Sequence, residues 1–546
     1  MRDDHLFGIG RRQRYAEMRR DFRWSVPEHF NFATDVVDAW ARERDGIAVI
    51  AEDAQGEVRT LRFSDVSRAS MKLADALRSR GVEKGDRVIV MLPRMPEWQI
   101  ALVACLRIGA VAIPCIEMLT AKDIAYRVAN SGAKAAICRA DHAVKFEEVA
   151  EKVPVRIAIG GAPGWIDYHA ATGAAREDVA AAVVAADDPA VMYYTSGSTG
   201  HPKGVLHASR GLYTWRMSAF YWLDLTPEDR IWCTADTGWS KAGTSIIWGP
   251  WSCGAAAFIY DGPFSPAERL RLLAKHKITV FCAASTELFR LVDEDPKRHD
   301  LSSLRHAITA GEALNAVVAR RFEEVFGVKV AEAYGQTEAL MMTLNFPSEP
   351  LRYGSMGLPG PGIHLDIVDD EGRRVADGVE GHVAILTPCP QMMLGYWQDP
   401  ARTAECFIDG PDGRWYISGD RAHRDRDGYL WYDGRSDDVI NSAGYRIGPL
   451  EVENVLLDHP SVQECAVVAS PDVERGEVVK AFVVLRKGVS GTRELIAELQ
   501  SHAKAATAPY KYPRRIEFIT ELPKTITGKI RRRALRDLEV ERGRKG

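Results

Sequence analysis

A run of glycines and hydroxyl residues followed by a lysine carries the strongest chemical signal in this chain. The run extends from Thr195 to Lys203 through Ser196, Gly197, Ser198, Thr199 and Gly200. Glycine lets the backbone bring its N–H groups against an anion, hydroxyls add donors, and lysine supplies a point charge. Apolar segments on both sides predict two strands, so we interpret the run as a polyphosphate-binding loop between them. An ordinary turn is the alternative.

The loop differs from the P-loop that opens a helix. Pro202 precedes Lys203 and Gly204 follows it. Both neighbours resist helix formation, so the P-loop interpretation is rejected.

Further segments combine charged, aromatic and glycine residues. Segment 332–338 reads EAYGQTE, segment 415–420 reads WYISGD, segment 434–446 reads GRSDDVINSAGYR, and segment 522–529 reads LPKTITGK. Taken singly, each is compatible with a turn, and the arginines that follow are compatible with a solvated helix face.

Together and in this order, these segments resemble the motifs of the adenylate-forming superfamily, which includes acyl-CoA synthetases, luciferases and peptide-synthetase adenylation domains. The likeness is strongest with medium-chain acyl-CoA synthetases, through stretches such as TADTGW at 234–239 and SAGYRIGP at 442–449. It implies an enzyme that activates a carboxylic acid with ATP to an acyl adenylate and transfers it to CoA, releasing AMP and pyrophosphate. Three alternatives stay open: loading of a carrier protein, a short-chain (acetyl or propionyl) CoA synthetase, and a nucleotide sensor without catalysis.

The resemblance implies a site for ATP and Mg²⁺. Lys203 would hold the terminal phosphates, Thr337 would touch the α-phosphate, and Glu338 would hold Mg²⁺, since a carboxylate beside a phosphate needs a hard cation. Lys529 would reach the substrate carboxylate and the α-phosphate, and these four are the catalytic candidates. The full nucleotide set is Thr195, Ser196, Gly197, Ser198, Thr199, Gly200, Lys203, Gly311, Glu312, Glu332, Tyr334, Gly335, Gln336, Thr337, Asp420, Arg435, Arg446 and Lys529.

Specific contacts within that set are also implied by the resemblance. Tyr334 is expected to stack on adenine, and Glu332 to face the adenine amino group. Asp420 is expected to accept hydrogen bonds from both ribose hydroxyls, and Arg435 is expected to contact ribose and phosphate. Residues 311–313 would form the other wall of the adenine site.

The acyl pocket is expected to be roomy. Ser240 and Ala310 are small, and Trp239 would form an apolar wall. Acetyl-specific relatives carry tryptophan where this chain has Gly335, so acetate should underfill the pocket, and Gly335→Trp is expected to exclude octanoate while sparing acetate. We expect acids of about C4 to C10, or branched or aromatic acids, with modest selectivity because each methylene contributes about 0.8 kcal/mol.

The resemblance also implies a moving C-terminal domain. Asp437 matches the hinge residue about which that domain rotates to exchange Lys529 for the CoA-binding surface. The CoA candidates are Ser442, Ala443, Gly444, Tyr445, Arg475 and Lys511.

Composition indicates a small-molecule enzyme. The 546 residues are long enough for more than one domain, and 71 Lys+Arg against 75 Asp+Glu give a net charge of -4, so neither nucleic acid nor a membrane is an expected partner. The nine cysteines lack a C-x-x-C pair, and the N-terminus lacks a secretory signal, so we predict a cytoplasmic protein. Arg107, Pro114 and Glu117 interrupt the most membrane-like run, 100–119, so we predict no membrane span. A homo-oligomer is compatible with the sequence.

Alternating helical and β-branched patterns predict an α/β fold. Examples are a helix at 64–80 before a strand at 86–92, and a helix at 98–107 before a strand at 110–113. Dense glycine and proline after residue 350 indicate a β-rich subdomain. We therefore predict layered α/β subdomains plus a β-rich subdomain in an N-terminal domain (1–434), a hinge (435–440) and a small, mobile α+β C-terminal domain (441–546).

Overall fold

The computed structural model describes residues 5–6, 9–195, 202–312, 314–435, 438, 440–442, 445–472, 476–506, 511–525 and 530–545. Within these ranges, only the backbone is described for residues 5, 6, 9, 441, 445, 446, 476 and 543–545. Three large sheets and a two-stranded ribbon, His5–Leu6 with Ile9–Gly10, organise the chain.

The first sheet has eight strands, and six of them run parallel. Two antiparallel strands complete one edge, beginning with the second arm of a hairpin. In spatial order the strands are Gly395–Tyr396, Lys203–Ala208, Pro189–Thr195, Val111–Pro114, Arg87–Met91, Ala135–Arg139, Val155–Ile159 and Ile166–Asp167.

Where alternation was predicted, one helix packs on this sheet, and another helix packs on that helix. The helices Phe63–Arg78 and Pro96–Arg107 lie against each other, and every residue of the second is buried. Proline at its first position is compatible with a helix start, and Gly109, with a φ of +73°, lets the chain turn after it. The predicted alternation of helices and strands is therefore confirmed within one to three residues.

The second sheet has fourteen strands and joins a parallel half to an antiparallel half. The parallel half, with the edge strand Val58–Arg62, comprises Ile47–Asp53, Ala256–Asp261, Arg230–Cys233, Val280–Cys282, His306–Ala310 and Val330–Gln336. The antiparallel half comprises Leu340–Leu344, Ser355–Pro359, Leu430–Arg435, Gly413–Arg424, Phe407–Gly410, Gly381–Leu386 and Leu365–Val368. The β-rich region after residue 350 is thus continuous with the parallel sheet.

The C-terminal part forms its own five-stranded sheet and its own apolar core. Its strands are Tyr445–Ile447, Ile440–Ser442, Gly476–Leu485, Val462–Asp472 and Arg515–Phe518. Its helices are Pro449–Leu457, Arg493–Ala506 and Arg532–Lys545. It meets the rest of the chain at Asn315, whose side-chain amide donates to the Asn454 side-chain oxygen at 3.2 Å. A small α+β unit therefore follows the large one, as predicted, while its boundaries at 434–441 stay predictions.

The remaining helical segments connect these strands. They are Tyr15–Asp21, Ala33–Asp38, Ala39–Glu43, Ala121–Ser131, Ala140–Lys152, Tyr168–Gly173, Ser209–Thr214, Arg216–Tyr221, Ser240–Ala242, Gly243–Ile247, Trp248–Ser252, Pro266–Lys275, Ser285–Leu291, Pro296–Arg298, Ala316–Phe326 and Pro400–Glu405. Across the described ranges, no helix is both long and apolar enough to cross a membrane.

Candidate active site

The predicted acyl, adenine and α-phosphate residues gather at one edge of the second sheet. The strands Arg230–Cys233, Val280–Cys282, His306–Ala310 and Val330–Gln336 are parallel neighbours, so their carboxyl ends meet there. In open α/β sheets ligands bind beyond such carboxyl ends. The predicted acyl wall, the adenine walls and the α-phosphate residue Thr337 end these strands or follow them, whereas the predicted polyphosphate loop belongs to the first sheet.

The predicted polyphosphate loop joins two antiparallel strands of the first sheet. Thr195 ends one strand and pairs with Lys203, which begins the next. The Lys203 ammonium lies 4.7 Å from the centre of the Tyr396 ring. Partial burial lowers the pKa of Lys203, and the positive charge of Arg402 lowers it further. The loop residues Ser196, Gly197, Ser198, Thr199 and Gly200 lie outside the described residues.

Asp420 is the centre of a hydrogen-bond network. Its Oδ2 accepts from the Tyr334 hydroxyl and from Gln336 Nε2, both at 2.6 Å, and its Oδ1 accepts from the Tyr432 hydroxyl at 3.1 Å. Arg435 lies 3.5 Å from Oδ1. Burial and then the neighbouring carboxylate raise the pKa of Tyr334, which stays a donor. The structure therefore brings the predicted adenine and ribose residues together.

Thr337 is held from two sides. Its Oγ1 lies 3.0 Å from Ser240 Oγ, and its carbonyl accepts a hydrogen bond from His207 Nε2 at 2.6 Å. Burial lowers the pKa of His207 to about 4, so the ring is neutral and carries its proton on Nε2. These contacts connect the predicted phosphate residue to the predicted acyl residue.

Glu338 and Lys203 share one aromatic neighbour. The Tyr396 hydroxyl donates to Glu338 Oε1 at 2.9 Å, while the same ring contacts Lys203. Among the described parts of the chain, no hydrogen bond is directed at the other oxygen of Glu338. Within those parts, no cluster of three or more His, Cys, Asp or Glu is arranged to hold a metal. Glu338 therefore offers a single carboxylate rather than a complete metal cage.

Glu332 is a buried acid with one unused oxygen. It is 8% exposed, its Oε1 accepts from the Leu314 backbone N–H at 3.3 Å, and its Oε2 has no partner among the described residues. Burial raises the pKa of Glu332 to about 8, so it is a neutral carboxylic acid at pH 7. Gly311, with a φ of +94°, turns the chain beside it and leads to Glu312. Residue 313 of the predicted wall lies outside the described residues.

Gly335 is required by the backbone. The strand register shifts between Tyr334 and Gly335, and a Cβ at position 335 would lie 2.1 Å from the Leu340 carbonyl oxygen. Any side chain must therefore displace the facing strand. This corrects the expectation that Gly335→Trp simply fills the acyl pocket and spares acetate.

The other predicted acyl residues lie nearby. Ala310 is buried at the end of its strand and pairs with Ala333, and half-buried Trp239 packs against a core cluster that includes Ile116. These positions are compatible with a wall beside Ser240.

The predicted CoA and hinge residues are only partly described. Ser442 is buried and pairs with Tyr445 and Gly476, and the Arg446 backbone pairs with Asn441. Lys511 lies 2.6 Å from Glu451, an ion pair inside the C-terminal unit. Asp437, Ala443, Gly444, Arg475 and Lys529 lie outside the described residues.

Side chains to which the sequence assigned no role complete the site. Tyr416 donates to Gln336 Oε1 at 3.0 Å, and Tyr396, Tyr432 and His207 make the contacts above. A histidine in an otherwise apolar strand is a signal that could have been found. The tyrosines come from distant strands, so no local pattern indicated them.

Comparison with known families agrees with this geometry. Residues 36–397 match the model of the AMP-binding enzyme family, and residues 451–529 match the AMP-binding enzyme C-terminal domain. The chain belongs to the AMP-binding enzyme family, the adenylate-forming enzymes, as its motifs predicted.

Relatives narrow the class to acid–CoA ligases. The chain is 41% identical to "Acyl-coenzyme A synthetase ACSM3, mitochondrial" of Homo sapiens, over 96% of this chain and 92% of that protein. It is similar to the structure of the anthranilate CoA ligase AuaEII in complex with anthranoyl-AMP, with a TM-score of 0.86, 30% identity, and 94% and 98% of the two chains covered. It is also similar to the structure of a benzoate CoA ligase from Burkholderia xenovorans LB400, with a TM-score of 0.82, 28% identity, and 93% of this chain and 100% of that chain covered. The predicted two-part α/β fold and AMP-forming acyl-CoA ligase class are confirmed.

The predicted cytoplasmic location is wrong. The ACSM3 proteins of Homo sapiens and Mus musculus and the ACSM5 protein of Homo sapiens are all designated mitochondrial. Free cysteines do not select one reducing compartment over another.

Proposed function

We propose that this acyl-CoA ligase activates medium-chain, branched or aromatic carboxylic acids. The observation that carries the proposal is that Thr337, Glu338 and the Asp420 network converge at one edge of the second sheet. There Thr337 contacts the small residue Ser240, and Tyr396 links Glu338 to Lys203 of the first sheet. Relatives named for medium-chain-type acyl-CoA synthetases and for benzoate and anthranilate CoA ligases support this substrate range.

The residues divide the nucleotide between them. Tyr334 and Glu332 take the adenine, and the open Oε2 of Glu332 supplies the polar contact. The Asp420 carboxylate accepts hydrogen bonds from the ribose hydroxyls, which replace those that its tyrosine and glutamine donors make without nucleotide. Lys203 and the loop after Thr195 take the β- and γ-phosphates.

Activation then needs correct placement more than a new nucleophile. The substrate carboxylate attacks the α-phosphate of ATP, and pyrophosphate leaves. Thr337, fixed by Ser240 and His207, places a hydroxyl at the reacting phosphate, and Lys529 stabilises the charge that develops there. The acyl adenylate then accepts the CoA thiol, and AMP leaves.

Magnesium fits the donor set. Mg²⁺ commonly takes one or two protein carboxylates together with substrate phosphates and water, and Glu338 offers one carboxylate oxygen to which no described residue donates a hydrogen bond. When bound, the ion neutralises phosphate charge. Tyr396 orients Glu338 for this contact.

The two half-reactions require two positions of the C-terminal unit. We infer that it rotates about Asp437, which removes Lys529 and brings residues 442–446 to the adenylate. The separate core of that unit supports movement as one body. Arg475 and Lys511 are the proposed contacts to the CoA phosphates.

Pyrophosphate exchange tests the proposal. Purified enzyme with Mg²⁺, ATP and a panel of acids from acetate to decanoate, with benzoate, should exchange labelled pyrophosphate without CoA and should form thioester only with CoA. Lys529→Ala should lower exchange about 100-fold or more, while thioester formation from presynthesised acyl adenylate persists. Lys487→Ala, at an exposed lysine, is the matched control. No exchange with any acid, or equal loss in both half-reactions, would contradict the assignment.

A further inference from the structure

Lys241 is an enclosed lysine that nothing in the nucleotide chemistry uses. It follows Ser240 in the short helix Ser240–Ala242, and its ammonium donates one long hydrogen bond, 3.4 Å, to the Ala283 carbonyl. That carbonyl already accepts from Thr309 at 2.9 Å. Protein surrounds the lysine, yet part of its side chain stays accessible at the site edge of the sheet.

Among the described residues, the ammonium of Lys241 has no carboxylate within 4 Å. Burial lowers its pKa, whereas negative charge at Cys282 and Cys233, and then at Glu312 and Glu287, raises it. Glu287 is engaged by Arg269 at 3.1 Å through Oε1, and its buried Oε2 has no hydrogen-bond partner among the described residues. An ammonium carries three donors, so two remain without a protein acceptor in the described parts of the chain.

The groups around Lys241 are polar for a position next to an acyl pocket. Cys233 and Cys282 pair on neighbouring strands. A hydrogen bond with Cys233 lowers the pKa of the Cys282 thiol, and the positive charge of Lys241 lowers it further. Ser245, which is 1% exposed, lies beside the Cys282 thiol and hydrogen-bonds to it, whereas Ser285 carries a buried hydroxyl without a hydrogen-bond partner among the described residues.

Unfunctionalised fatty acyl chains do not explain this arrangement. Burying a polar group without a partner costs free energy, and an alkyl tail against an ammonium would leave that cost in place. An oxygen atom on the substrate would satisfy it. The carboxylate that reacts is served elsewhere, beside Thr337, which contacts Ser240.

We propose that Lys241 binds an oxygen acceptor at the far end of the acyl substrate, so that the enzyme prefers carboxylic acids with a distal hydroxyl or second carboxylate. This inference rests on the proposed function and narrows its substrate class. Lys241 is then a specificity-determining residue that touches the substrate tail, and the hydroxyl of Ser285 is an additional donor to the same oxygen.

Matched substrates test the inference. The value of kcat/KM is measured for unsubstituted acids of four to ten carbons, for the ω-hydroxy acid and dicarboxylic acid of each length, and for benzoate and 4-hydroxybenzoate. At its best length, the wild-type enzyme should favour an oxygenated acid by about tenfold or more, because a site built to hydrogen-bond rejects the analogue that lacks the group. Preference for the unsubstituted acid at every length would overturn the inference.

Variants assign the effect to the lysine. Lys241→Met, of similar length without charge, should abolish the preference, while Lys297→Met at an exposed position should keep it. Lys241→Gln should retain recognition of the hydroxy acid and lose that of the dicarboxylic acid, which separates the two oxygen sources. A preference that survives Lys241→Met in folded enzyme would refute the assignment. If Lys241→Met does not fold, the acid preference of the wild-type enzyme and that of Lys241→Gln still test the inference. Failure of the proposed function is distinct, since it would abolish exchange with all acids.

Discussion

Substitution of Gly335 by alanine tests whether the turn that carries the nucleotide residues tolerates any side chain. The alanine Cβ would stand 2.1 Å from the Leu340 carbonyl oxygen and 2.9 Å from the Met341 Cα. Both obstacles are backbone, and Leu340 already has a left-handed φ of +56°. The facing strand must therefore move, because no rotamer change relieves the contact.

The size of the effect follows from that distance. The Leu340 carbonyl must retreat by about 1 Å to reach a tolerable contact, and overpacking of this kind costs roughly 1 to 3 kcal/mol. Thr337 and Glu338 lie in the turn between the two strands and move with it. If that cost falls on the transition state, kcat/KM decreases about 5- to 150-fold.

Parallel measurement on two acids separates backbone strain from pocket filling. For Gly335→Ala and Gly335→Trp, pyrophosphate release with octanoate and with acetate should fall together, with the ratio between acids changed by less than about threefold. Gly46→Ala is the control, because a Cβ there has no neighbour within 4 Å. Loss of octanoate activity with retained acetate activity in Gly335→Trp would refute the reasoning and restore the simple pocket interpretation.

Three further predictions concern side chains of the candidate site. Because the pKa of His207 is lowered to about 4, the free energy of unfolding should be highest above pH 6.5 and should decline by about 3 kcal/mol towards pH 4. His207→Gln keeps a donor for the Thr337 carbonyl and should remove this pH dependence, which urea unfolding at a series of pH values would measure. Glu332 should give the opposite pH dependence: its pKa of about 8 makes the free energy of unfolding fall as pH rises from 4.5. Between pH 6.5 and 8, Glu332→Gln should therefore gain about 2 kcal/mol of stability relative to wild type. Identical pH–stability profiles of the two proteins would contradict the protonated acid. Tyr396→Phe removes the hydrogen bond to Glu338 and should raise the Mg²⁺ concentration for half-maximal exchange about tenfold; an unchanged Mg²⁺ titration would dissociate Glu338 from the metal.

Local patterns predicted the elements well and their partners poorly. The hairpin that pairs Thr195 with Lys203 follows from a strand, a glycine-rich turn and a strand in direct succession. The bond from Tyr334 to Asp420 spans 86 residues, and the bond from Tyr396 to Glu338 spans 58, so neither leaves a local periodicity to read.

Gly335 shows the same limit at short range. A missing side chain predicted open space, whereas the residue is crowded by the Leu340 carbonyl. The cause is a shift of strand register together with a left-handed residue, and neither is written in the residue types alone. Family likeness predicted which residues form the site, but the distances between them depend on tertiary packing.

The arrangement at the sheet edge keeps two kinds of recognition on different pieces of chain. Residues 332 to 338 form one continuous segment, while Ser240, Lys241 and Ala310 leave other strands of the same sheet. On the proposed function, mutations among the latter would diversify the accepted acid during evolution or in the laboratory without rebuilding the proposed ATP site. Gly335 is the one residue predicted in both the nucleotide set and the acyl set, and substitution there is opposed by the Leu340 carbonyl.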